Sequence, residues 1–90
     1  MGFCYSHDMP TILRIGALRV VIYPSDHRPA HVHVQGGDGE AVFILHCPHG
    51  PPALRESFGF KRPDLSAIKN ALAGAITLLC AKWSAIHGSY

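Results

Sequence analysis

The residues of this chain best suited to chemistry are three closely spaced histidines, His27, His31 and His33, within the string DHRPAHVHV from Asp26 to Val34. Imidazole changes charge near neutral pH, so neighbouring histidines can move protons, ligate a metal ion or simply order a turn. His31 and His33 lie in Ala30–Gln35, an alternating stretch, and a period of two sets both on one face of a strand. His27 belongs to the turn before them. As ligands, His27, His31 and His33 would supply three nitrogens to a zinc-type ion, with no carboxylate or cysteine at an obvious matching spacing. As catalytic groups, one imidazole would take the proton of an RNA 2′-hydroxyl and another would protonate the leaving oxygen. Arg28, Arg14 or Arg19 would then stabilise the charge growing on phosphorus. In the third reading Asp26 caps a tight turn while His27 and His31 hydrogen-bond to backbone groups. The pattern leaves all three open.

The elements that must position these residues follow from periodicity. Thr11–Ile15 and Ala17–Tyr23 are rich in Ile, Leu and Val and are separated by Gly16, which predicts two tightly joined strands. Pro24–Pro29 reads as a turn, and Ala30–Gln35 as a third strand. Gly36-Gly37-Asp38-Gly39 supplies hairpin residues before a fourth strand, Glu40–His46. Cys47–Pro52, with its prolines and glycine, is a loop that takes in His49, and Ala53–Phe60 is a short fifth element. Beyond it Leu65, Ile68, Leu72, Ile76, Leu79, Trp83 and Ile86 form a helical stripe, opened by Pro63 and Asp64 and closed by Gly88. About 24 residues would give one helix of roughly 36 Å. The expected fold is therefore α+β: a four- to five-stranded antiparallel meander packed against one long C-terminal helix. Residues 1–8 read as a disordered leader to a single domain spanning 9–90.

Choosing the more apolar side of each strand turns Leu13, Ile15, Leu18, Val20, Ile22, Val32, Val34, Ala41, Phe43 and Leu45 toward that helix. The opposite face then carries Arg14, Arg19, Tyr23, His31, His33, Gln35, Glu40 and His46. Arg14, Arg19 and Tyr23 on such a face would suit single-stranded RNA, with Tyr23 stacking a base. The helix back, with Ala67, Ala71, Ala75 and Ala81, is smooth enough to serve as a homodimer or partner surface.

Composition narrows the class. The chain is 48% hydrophobic and 16% charged, too apolar for disorder, and its net charge of +2 does not by itself argue for nucleic acid. Cys4, Cys47 and Cys80 are an odd set without CxxC spacing, which predicts a reduced, cytoplasmic chain. The longest apolar run, Ala71–Cys80, is too short to span a membrane, so no membrane partner is expected.

The residues Met9–Gly16 (MPTILRIG) and the string Asp26–Val34 resemble the domain of unknown function 4160 family of small bacterial proteins. The similarity continues through Gly39-Glu40-Ala41, Leu54-Arg55-Glu56, Gly59-Phe60, Trp83 and Ile86-His87-Gly88. The family has no settled activity. Its members resemble one half of paired small genes of toxin–antitoxin type, which implies a neighbouring gene product as partner and, with the histidines and arginines above, suits action on RNA. This chain departs from the family pattern at three places. Lys61 stands where many relatives have a serine-like cap, Val42 and Ile44 stand where a lysine and a tryptophan are commoner, and His46 and His49 lie outside the family string.

Overall fold

The structure is a computed structural model that describes residues 11–37 and 39–90. The expected leader lies outside the described residues. Five strands form one antiparallel sheet in sequence order: β1 (Thr11–Ile15), β2 (Leu18–Val21), β3 (His31–Gly36), β4 (Gly39–Ile44) and β5 (Ala53–Phe58). The fifth element is thus a full strand of the meander. Gly16 turns β1 into β2 at a φ of +58°, a conformation that costs glycine little and other residues more. At Gly36 the need is for space. A Cβ there would stand 2.6 Å from the Leu18 side chain of the neighbouring strand.

One long helix was expected, and two are found. α1 (Arg62–Gly74) and α2 (Ile76–His87) meet at a bend of 75°. The break falls at Gly74-Ala75, where glycine has the lowest helix propensity of any residue but proline. Ala75 leaves helical geometry at φ −116°, ψ 17°, and its N–H tightens onto the Leu72 carbonyl at 3.0 Å. Pro63 and Asp64 start α1 as expected: the Asp64 carboxylate accepts the Lys61 N–H at 3.2 Å, in place of a serine-type cap. Gly88 ends α2 in the left-handed region. Neither helix is long and apolar enough to cross a membrane by itself. The bend also divides the alanine face, so Ala67 and Ala81 are exposed on different helices.

The core forms where alternation placed it. Val20, Ile22, Val32, Val34, Ala41, Phe43 and Leu45 pack against Ile68 and Leu72 of α1 and Leu79, Cys80 and Trp83 of α2. Leu13, Ile15 and Leu18 flank that cluster, half-buried. Each fully buried aliphatic or aromatic side chain contributes roughly 1.5–3 kcal/mol, which makes this layer the main source of stability. The helical stripe fails at its last position, because Ile86 is exposed and His87 takes the place against Trp83.

A second correction concerns the cysteines. The chain is not fully reduced: Cys47 and Cys80 are joined in a disulfide that spans 33 residues and ties the loop after β4 to α2. Spacing could not show this, since the two cysteines are 33 residues apart, one in a loop and one in a helix.

Candidate functional site

His31 and His33 occupy β3 positions on the sheet face opposite the main core, as alternation requires. That face is drier at its centre than an open sheet would be. His31 is 6% exposed, and the residues beside His33 in the register, Val21 and Val42, are buried as well. Two elements close over it. From one side comes the turn after β2, fixed by the Asp26 N–H on the Tyr23 carbonyl at 3.0 Å and the Tyr23 N–H on Asp26 Oδ2 at 3.2 Å. From the other comes α2, whose Trp83 ring lies 5.2 Å from the His31 ring, centroid to centroid.

The turn carries Asp26 into the middle of the face. Its Oδ2 stands 3.2 Å from His33 Nε2 and 3.4 Å from His31 Nε2. Among the described residues, Asp26, His31 and His33 offer metal-ligating atoms that all lie within 4.8 Å of one another. Their outer nitrogens face acceptors. His31 Nδ1 is 2.8 Å from the Pro29 carbonyl, and His33 Nδ1 is 3.4 Å from Glu40 Oε2, an ion-pair distance too long for a good hydrogen bond.

The Pro29 contact fixes a tautomer. A carbonyl cannot donate, so His31 Nδ1 carries a proton, and the ring turns Nε2 toward the Asp26 carboxylate. Two electron-rich atoms at 3.4 Å repel unless a cation, either a proton or a metal ion, lies between them. The same holds for His33 Nε2 if its Nδ1 proton points to Glu40. Around this centre Gln35 donates to the Tyr23 hydroxyl and lies 3.5 Å from Glu40 Oε2, Arg19 donates to Gln35 Oε1 at 3.4 Å, and the Tyr23 ring packs edge-on against His33.

A family model, Domain of unknown function (DUF4160), matches residues 18–84. The chain belongs to this family. In the DUF4160 fold the matched region contains the whole cluster, both helices up to Ser84 and all of the sheet except β1. Neither the curated proteins nor the solved structures yield a match.

The remaining predicted residues of this DUF4160 chain lie around the cluster rather than in it. His27 is exposed and, with Arg28 and His31, lines an open pocket at the turn. Arg28 donates to Ser89 Oγ at 3.1 Å. Arg14 pairs with Arg19 across β1 and β2, one exposed and the other half-buried. His46 holds the Pro51 carbonyl through Nδ1 at 2.8 Å, away from the cluster. The residue that sequence reasoning missed is Asp26 as a member of this cluster. It was read only as a turn cap, and it caps the turn with the same oxygen that meets both imidazoles. Its offsets from the histidines become meaningful only once the turn is known to fold back over the strand.

Proposed function

We propose that this domain binds a divalent first-row metal ion through Asp26 Oδ2, His31 Nε2 and His33 Nε2. The observation that carries the reading is the convergence of the two Nε2 atoms on one carboxylate oxygen, with His31 Nδ1 held outward by the Pro29 carbonyl and His33 Nδ1 facing Glu40 at 3.4 Å. Ligands about 2.0–2.1 Å from a tetrahedral ion lie roughly 3.3 Å apart, close to the two Asp26–histidine spacings of 3.2 and 3.4 Å. Outward Nδ1 contacts are how ligating histidines are oriented in metal sites. Imidazole and carboxylate donors suit zinc or iron, and three protein ligands leave a coordination position for water or a substrate. When bound, the ion would act as a Lewis acid beside the pocket that Asp26 and His31 line.

The test is metal content and affinity. Protein purified without chelator should hold close to one equivalent of metal. Zinc titrated into chelator-treated protein should bind one to one, and Asp26→Asn, His31→Ala and His33→Ala should each remove that binding. If zinc does not bind, or binds equally to all three variants, the cluster is an ion-paired structural network and the reading fails.

A second reading is favoured by the placement of His27, His31 and Arg28 around one pocket. There the protein is a toxin–antitoxin-type component acting on RNA by acid–base chemistry, with a neighbouring gene product as its partner. Cleavage of a single-stranded RNA by chelator-treated protein, lost in His27→Ala, would support it. Cleavage only with added metal would favour the first reading. A cytoplasmic address is compatible with both, because none of the proposed ligands is a cysteine and opening of Cys47–Cys80 in a reducing compartment would leave all three in place.

A further inference from the structure

The geometry points to a phosphate group as the ligand of the pocket beside the Asp26–His31–His33 centre, an inference that rests on the metal reading for its central cation. The pocket, about 600 Å³ and open to solvent, is lined by Ser25, Asp26, His27, Arg28, Pro29, His31, Ile44 and Arg55. Ile44, next to His31 in the register, is its apolar floor. Arg28 comes from the turn and Arg55 from β5, so two arginines line it from separate elements. Among the described residues, the only carboxylate in the lining is Asp26, whose Oδ2 also accepts the Tyr23 N–H and faces both histidines. Two arginines therefore face one carboxylate among the described lining residues.

Guanidinium forks match phosphate oxygens in geometry as well as charge. Arg28 is also held in place. Its hydrogen bond to Ser89 leaves further N–H donors available, and Ser89 is itself anchored by the Trp83 indole N–H on its carbonyl oxygen at 3.0 Å. A phosphate seated between Arg28 and Arg55 would present an oxygen toward the side where Asp26 and His31 converge. His27 and Ser25, both exposed, add polar contacts at the rim.

The phosphate could come from a small phosphomonoester or from the backbone of a single-stranded RNA, and two probes separate the sources. Binding of adenosine 5′-monophosphate and of an oligouridylate without terminal phosphates would be measured by calorimetry, with zinc-loaded and chelator-treated protein. At least one probe should bind, and Arg28→Gln and Arg55→Gln should each weaken it about tenfold, the loss of a charge-assisted hydrogen bond. Zinc stoichiometry and melting temperature should stay unchanged in both variants. Binding of the monophosphate alone identifies a phosphomonoester ligand, and binding of the oligomer identifies an internal phosphodiester. The inference is overturned if neither probe binds to zinc-loaded protein, if succinate competes as well as phosphate does, or if the arginine variants bind normally. Zinc binding without phosphate binding would sink this inference and leave the metal reading intact. Arginine-dependent phosphate binding without zinc binding would sink the metal reading and support the pocket.

Discussion

Two segments of this chain are rich in both proline and histidine, Pro24–His33 and His46–Pro52, and they do opposite things. In the first, three side chains turn inward: Asp26 reaches His31 and His33, whose imidazoles are largely shielded from water, while His27 stays exposed. In the second they turn outward. His46 and His49 are exposed, His46 sits at a φ of +54° and spends its Nδ1 on the Pro51 carbonyl, and the Gly50 N–H closes the loop on the His46 carbonyl at 2.7 Å. What holds the second segment to the body is the Cys47–Cys80 bond. Composition is therefore a poor guide to chemistry. A histidine becomes a candidate ligand when a strand fixes its direction and a nearby turn supplies an opposing charge.

The sharpest way to break the contrast is to open the disulfide. Closing a loop of 33 residues stabilises a fold by about 3–4 kcal/mol through the unfolded chain, so Cys47→Ser with Cys80→Ser should lower the urea-unfolding free energy by that amount. Zinc stoichiometry should survive, because the bond serves the second segment and not the first. Next in size, Asp26→Asn should weaken zinc by about a hundredfold or more, equivalent to about 2.7 kcal/mol, measured by competition with a chromophoric chelator. A zinc affinity unchanged in that variant would erase the distinction between the two segments. Glu40→Gln, which alters only the acceptor behind His33, should cost about tenfold in zinc affinity with the stoichiometry intact. The smallest effect belongs to His49→Ala, an exposed loop position, which should stay within about 0.5 kcal/mol in stability and leave metal binding unaltered.

The sequence carried the sheet well and the helix less well, for separable reasons. Alternation reports local geometry, so β3 and the inward set Val20, Val32, Val34 and Phe43 were legible from period two alone. The helical stripe was equally legible, but Leu72 and Ile76 keep their spacing across Gly74-Ala75, and periodicity does not register a 75° change of axis between them. Two further features were equally silent: the Cys47–Cys80 bond joins residues 33 apart, and His87 rather than Ile86 stacks on Trp83. At the site, the shared direction of His31 and His33 was readable, whereas the role of Asp26 depends on a turn folding across the sheet. Nothing local in β5 relates Arg55 to residues 27 positions earlier in the chain; the ladders from β3 through β4 to β5 are what bring its strand to the pocket that Arg28 lines.

The meander order has a kinetic consequence. Every ladder joins strands that are neighbours in sequence, and the cluster lies within a single stretch from Tyr23 to Glu40. Bringing Asp26 to His33 closes a separation of only 7 residues, against 33 for the two cysteines. By loop-closure entropy the shorter contact is cheaper by roughly 1.4 kcal/mol. Hairpins form on a microsecond scale, so the three side chains can meet while the helices are still searching for the sheet. A metal ion captured at that stage would act as a folding nucleus for β2, β3 and the turn between them, before the chain has built the core that later shields it.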